Sequence, residues 1–188
     1  MNRVRCAELV KARLTSDDIV VCGLGSVEAA YKHVGPAGPT YFASDPMGLW
    51  PSIALGLALA RWDRKVVLLA GDGDLLMNLQ VLATIASVAP KNFRVVLFQN
   101  GAYASAGGQP LAGADRLSFA TIASGAGIAW SFDARSEDEA RGKLDELFGR
   151  ADLGFLAIHV ERDVPAAERP GPWSQAEERA VFMRSIMP

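Results

Sequence analysis

The sequence predicts an α/β fold: a three-layer, doubly wound, mostly parallel sheet with helices on both faces. Three observations carry that prediction. Apolar runs such as KVVLLAG (65–71) and FRVVLFQN (93–100) are continuous rather than alternating, the pattern of strands buried on both faces. They alternate along the chain with segments of helical periodicity, which supply the crossovers that parallel strands need. The 188 residues, 50% hydrophobic and 21% charged, suit one folded domain with a true core.

Taken in order, residues 3–14 show helical spacing, with Val4, Leu9, Val10 and Leu14 on one face. DIVVCG (18–23) is a buried strand closed by the glycines of GLGS, and VEAAYKHV (27–34) is the helix after it. PTYFAS (39–44) is a short extended segment leading into DPMGLWPSIALGLALARW (45–62), where Pro51 sits in a first helical turn and Gly and Ala permit close packing. KVVLLAG is the clearest strand. A helix from Asp74 follows, carrying Leu75, Leu76, Leu79, Leu82, Ile85 and Ala86 and ended by Pro90 and Asn92. After the strand FRVVLFQN comes a glycine-rich loop over 101–115, then the helical LSFATIASGAG, the strand AWSFD, the helix SEDEARGKLDELFG and the strand GFLAIHVE. Residues 1–165 form the domain. The tail, 166–188, is Pro-rich and then a short amphipathic helix using Ala180, Val181, Met183 and Ile186; packing on its own domain and docking on another subunit are both open to it.

Several function classes are excluded early. A formal net charge of -2 leaves no electrostatic footprint for nucleic acid or an anionic membrane. Cys6 and Cys22 stand apart with no CxxC spacing, as reduced structural thiols do. The opening MNRVRCAELVKARL lacks an apolar signal core, and IALGLALA (53–60) is too short to span a bilayer and reads as a buried helix, so a cytoplasmic protein is expected.

GDGDLLMNLQ (71–80) raises the functional question. It lies where a buried strand ends, the edge at which open α/β sheets bind ligands. Gly71 and Gly73 let the backbone approach a ligand, and the N–H groups of the following helix face an anion. Asp72 would repel a bare phosphate, but a divalent cation between them reconciles the two, since Mg²⁺ combines one or two carboxylates with phosphate oxygens and water. The next strand ends at Asn100, placed beside Asp72 by parallel pairing; its amide oxygen is a second hard ligand and the carbonyl of Ala102 a third. GDG alone is equally a capped turn. His33 and His159, on helix and strand patterns, are structural.

GDG, 26 residues and then Asn resembles the cofactor motif of thiamine diphosphate enzymes. More closely, residues 71–110 resemble the β subunits of sulfopyruvate decarboxylases and the matching domain of phosphonopyruvate decarboxylases, which share GDG-x-LLMNL and N-x-x-Y-x-x-x-GGQ. The resemblance implies a thiamine diphosphate-binding fold in which Asp72, Asn100 and the backbone of Ala102 hold Mg²⁺, while Gly71, Gly73, Asp74 and Leu75 line the diphosphate. SDPMGLWPSIALGLALA is similar to G-x-M-G-x-x-x-x-x-x-G-x-A-x-A. Met47 is then the bulky residue that bends the cofactor into a V, bringing its ring amine to the thiazolium C2, and the carbonyl of Asp45 accepts from that amine. Ser26, in GLGS, is a phosphate donor or simply a helix N-cap. Tyr103 and Gln109 touch cofactor or substrate from a mobile loop, or belong to a structural turn. Two positions depart from the pattern: Asp45-Pro46 stands for Gly-Ser, and Asp74 stands where a small residue is usual.

The family's activating glutamate belongs to a pyrimidine-binding domain for which this chain has no room, and Glu28 does not match it. The resemblance therefore implies a split enzyme, with a separate α subunit in an α2β2 assembly, that decarboxylates an anionic three-carbon 2-oxo acid to an aldehyde. Arg116 is a candidate partner for the substrate's anion, and no proton-shuttling residue falls in this chain. The β subunits of 2-oxoacid:ferredoxin oxidoreductases share GDGD and the Tyr…GGQ loop but carry cluster cysteines that Cys6 and Cys22 cannot replace. A carboligase of the acetolactate synthase kind also fits these motifs, as does a non-catalytic cofactor-binding subunit.

Overall fold

The structure, a computed structural model, describes residues 1–44, 46–162 and 174–187. Six parallel strands form one sheet: β1 (Ile19–Cys22), β2 (Thr40–Phe42), β3 (Val66–Gly71), β4 (Phe93–Gln99), β7 (Ser131–Ala134) and β8 (Gly154–His159), in the order β2-β1-β3-β4-β8-β7. Strand periodicity divides the core between the two faces. Val66, Leu68 and Ala70 point to one side and pack with α3 (Trp50–Ala60), α5 (Val81–Val88), α6 (Phe119–Gly125) and α8 (Gln175–Ile186). Val67 and Leu69 point to the other, against α1 (Arg3–Lys11), α2 (Ser26–Val34) and α7 (Glu137–Gly149). This is the expected three-layer, doubly wound architecture.

Among the described residues, Arg94 is the one charge deep in the central strands. Its guanidinium donates to the carbonyls of Leu147, Lys91, Phe93 and Arg150, tying the end of α7 to β4. A buried cation is tolerable when its donors are taken up this way.

The structure corrects the sequence reading in five places. The first helix stops at Lys11 and buries Cys6, Ala7, Leu9 and Val10, with Val4 and Leu14 only flanking the core. The helix expected from Asp74 is two helices, α4 (Asp72–Leu76) and α5, separated by a turn of i→i+3 bonds over 77–80. Asn92 is no helix stop: its amide donates to the carbonyls of Ala58, Arg61 and Arg64 beyond α3, and α5 closes instead at Ala89, left-handed with φ 45°. The loop over 101–115 contains a hairpin, β5 (Ala102–Tyr103) with β6 (Gln109–Pro110). In IALGLALA only one face is buried, and Leu59 is 54% exposed.

The tail helix forms, but turns a different face inward. Phe182 and Ile186, four residues apart, are buried, whereas Ala180, Val181 and Met183 are exposed. Phe182 meets the edge of Tyr41 on β2 with centroids 5.5 Å apart, so α8 packs on its own domain. Residues 166–173, the first part of the tail, lie outside the described residues.

Candidate cofactor site at the carboxyl edge of the sheet

β3 and β4 pair as far as Gly71↔Phe98, so the chain leaves both strands at the same edge. Asp72 opens α4 there. One carboxylate oxygen accepts from the N–H of Gly73 at 2.9 Å and the other from the N–H of Gly101 at 2.6 Å, which brings the acid to the residue next to Asn100. Asn100 holds its own amide oxygen by accepting from the N–H of Ala102 at 2.8 Å. Ala102 in turn pairs with Pro110, which carries no N–H to occupy that carbonyl. The acid and the carboxamide are therefore both anchored by the backbone of residues 101 and 102.

The electrostatics of Asp72 are those of a cation-seeking group. It is 2% exposed, and among the described residues no Lys, Arg or His pairs with it. Burial pushes its pKa up to about 6, against the opposing pull of the backbone N–H groups. Asn100 Oδ1 keeps a lone pair beyond its one backbone bond. No set of three or more His, Cys, Asp or Glu suited to a metal occurs among the described residues. A cation here would thus take few protein ligands and need phosphate oxygens or water for the rest, which is the habit of Mg²⁺. The donor set fits that ion.

Around this pair, the structure distributes the other expected residues unevenly. Gly73 is required by contact: a Cβ there would lie 2.7 Å from the Tyr103 ring, so Tyr103 lies directly on the acidic turn. Gly71 is extended, and a Cβ would meet only Val27 at 3.7 Å. Leu75 is fully buried in the core, which leaves only its main chain for a ligand. Ser26 is the first residue of α2 rather than its cap; Gly25, with φ 84°, holds the cap position and makes no side-chain cap bond. Met47 is half-buried, and the following Gly48 has φ 88°. Asp74 is not a helix cap either: it is 4% exposed and accepts from the N–H of Gly48 at 2.6 Å. Asp45 lies outside the described residues.

The hairpin does more than the sequence suggests. A Cβ on Gly25 would fall 2.2 Å from the hydroxyl of Ser105, so the hairpin reaches from the end of β4 to the GLGS turn after β1. Sequence reasoning misses Ser105, whose only signal is its place between the Tyr and the GGQ. Gln109 pairs with Tyr103 and is exposed.

Arg116 is turned to solvent. Its side chain is 85% exposed and lies 3.8 Å from Asp115. The cations near the edge are instead Arg135 and Arg162, which line a cavity of about 520 Å³ on the β8 side of Asn100, with Gln99 and His159. Arg162 donates to the carbonyl of Gly101 at 2.8 Å. His159 lies 3.7 Å from Asp133, its pKa lowered by burial and by Arg135, and His33 is exposed on α2. Cys6 and Cys22 are buried and form no disulfide.

Comparison with known proteins agrees with the geometry. Residues 23–160 match the family described as thiamine pyrophosphate enzyme, C-terminal TPP binding domain. The sulfopyruvate decarboxylase subunit beta of Methanothermobacter thermautotrophicus is 37% identical over 109 residues, and the match spans 58% of each chain. That of Methanocaldococcus jannaschii is 33% identical over 127 residues, spanning 68% of this chain and 67% of the relative. The phosphonopyruvate decarboxylase of Streptomyces viridochromogenes is 33% identical over 57% of this chain, which is 27% of its own length. Among solved structures, benzoylformate decarboxylase from Polynucleobacter necessarius superposes with a TM-score of 0.70 at 21% identity, covering 85% of this chain and 33% of that one, a likeness of fold. No helix among the described residues is long and apolar enough to cross a membrane. The chain belongs to the thiamine pyrophosphate enzymes, with their C-terminal TPP binding domain over residues 23–160.

Proposed function

We propose that this chain is the diphosphate- and Mg²⁺-binding subunit of a split, non-oxidative 2-oxo acid decarboxylase that acts on a small anionic substrate of the sulfopyruvate or phosphonopyruvate kind. The observation that carries the reading is the convergence of Asp72 and Asn100, a buried acid without a cationic partner beside a carboxamide. When bound, the cofactor supplies a thiazolium that accepts the electron pair released as the 2-oxo acid loses CO₂.

The chain's own residues have holding roles. Asp72, Asn100 and the Ala102 carbonyl would hold the metal, and the GDG and GLGS turns would receive the diphosphate. Met47 supports the bend of the cofactor. The hairpin carrying Tyr103 and Ser105 touches both turns, Tyr103 at Gly73 and Ser105 at Gly25, and would cover the cofactor's phosphate end. The activating glutamate comes from a separate α subunit, in an α2β2 assembly; relatives named as beta subunits support a companion chain. Fully buried Cys6 and Cys22 count against a ferredoxin-linked oxidoreductase, since neither is available to a cluster.

Titration calorimetry with thiamine diphosphate and Mg²⁺, in the presence of the partner, tests the cofactor assignment. Saturable binding that Asp72→Ala abolishes is expected; a wild type that does not bind ends the reading. CO₂ release that requires the companion chain tests the split, and turnover by this chain alone refutes it.

A further inference from the structure

Resting on the thiamine diphosphate reading, we propose that Asp74 and Asn78 are positioning residues: together they clamp the Gly48 peptide and so fix Met47 relative to the metal carboxylate. Gly48 lies in a short irregular stretch before α3, with φ 88°, a conformation that favours glycine. Nothing in a regular ladder holds this stretch, yet both polar groups of residue 48 are engaged. Its N–H donates to Asp74 Oδ1 at 2.6 Å, and its carbonyl accepts from Asn78 Nδ2 at 2.7 Å. A side chain at position 48 would press on Asn78, whose Cβ lies 3.0 Å from where the new Cβ would be.

Both clamping side chains come from α4 and the turn after it, and α4 begins at Asp72. One short rigid segment thereby carries the metal carboxylate and, two residues on, the acceptor that fixes the Met47 loop. A small residue at position 74 could not span this gap. A carboxylate makes a stronger, charge-assisted bond, and its burial is offset only by what it holds. The fold makes room for it: Asp74 Oδ2 sits against Gly23, 3.1 Å from where a Cβ would be, beside the Trp50 ring and the Leu69 carbonyl. The same interaction explains why the helix predicted from Asp74 breaks. Asn78 turns its amide to Gly48, in a turn built of i→i+3 bonds.

The proposal separates from a merely structural role by two readouts. In the free chain, amide hydrogen exchange at Gly48 reports the clamp without any cofactor. In the complex with its partner, Mg²⁺ and thiamine diphosphate, hydrogen–deuterium exchange at the thiazolium C2 reports ring placement, and calorimetry reports affinity. Asp74→Ala, which removes the acceptor of the Gly48 N–H, is expected to speed Gly48 exchange about tenfold or more, and Asn78→Ala, which frees only the carbonyl, to speed it less. They should slow C2 exchange by up to about a hundredfold while affinity changes about threefold or less. Asp74→Asn, which retains an acceptor for the Gly48 N–H, should restore both rates.

Unchanged Gly48 exchange in both alanine variants overturns the clamp, as does C2 exchange that falls only in proportion to affinity. Should Asp74→Ala fail to fold, the half-buried Asn78→Ala decides through C2 exchange, where a rate equal to wild type overturns the proposal. A wild type that does not bind the cofactor sinks the underlying assignment instead, a result calorimetry reveals before any variant is made.

Discussion

The β3–β4 edge and the adjoining β4–β8 edge face the same side of the sheet but are built for opposite purposes. The first carries Asp72 and Asp74, both nearly fully buried and both pushed by burial to a pKa of about 6, among glycines whose missing side chains let backbone and ring approach. The second carries Arg135, Arg162, Gln99 and His159 around an open cavity, with Gln99 Oε1 and His159 Nε2 buried and without hydrogen-bond partners among the described residues. Acids are concentrated where a cation would belong, and basic side chains are kept one strand away. Arg162 donates to the Gly101 carbonyl, and among the described residues no ion pair joins it to Asp72. The contrast teaches that charge alone does not mark a site: burial without a counter-ion does.

Removing Asp72 should have the largest effect. Asp72→Ala is expected to weaken Mg²⁺-dependent thiamine diphosphate binding by about a hundredfold or more, since it would delete the one charged side chain of the proposed metal site, and calorimetry measures it. Binding within a few-fold of wild type would place the cation elsewhere.

Gly73→Ala comes next. The added methyl must displace the Tyr103 ring, because its Cβ would sit 2.7 Å away. Overpacking of this kind costs about 1–3 kcal/mol, read as a lower melting temperature together with weaker cofactor binding. Loss of stability with affinity intact would show that the hairpin does not serve the cleft.

A pH series sharpens the comparison further. Asp72 and Asp74 have folded-state pKa values of about 6, above the ordinary 3.8, so the folded chain retains protons that the unfolded chain releases. Without metal, stability should therefore fall as pH rises from about 4 through about 6. Mg²⁺ with thiamine diphosphate competes with the proton at Asp72, so the stabilisation they provide should grow across the same interval. Thermal melts with and without both ligands test this, and an equal ligand shift at both ends would contradict it.

The smallest effect is expected at the second edge. Arg135→Gln should change cofactor affinity by no more than about twofold, because an exposed charge is screened by solvent. A large loss measured by the same calorimetry would merge the two edges into one site.

Much of this is legible in the chain itself. The apolar runs at 66–70 and 95–98 read as strands covered on both faces, and their alternation with helical segments along the chain predicts the parallel sheet that forms. The Asp72–Asn100 pairing is also readable, because parallel neighbours in a βαβ unit end at one edge. Contacts between segments distant in sequence are not. Nothing local signals that Asp74 bonds Gly48, that Asn92 serves the end of α3, or that Ser105 lies on Gly25. The inward face of α8 escapes the sequence for a related reason: its apolar residues surround the helix, and the Tyr41 ring selects Phe182.

The sequence by itself determined the layers, the strand-end position of the acids and the family, because hydrophobic period and motif spacing act over a few residues or one βαβ unit. Only the tertiary structure decided which polar atoms meet across the cleft. Such bonds depend on where separate segments are packed, to within a few tenths of an ångström, and no local pattern encodes that.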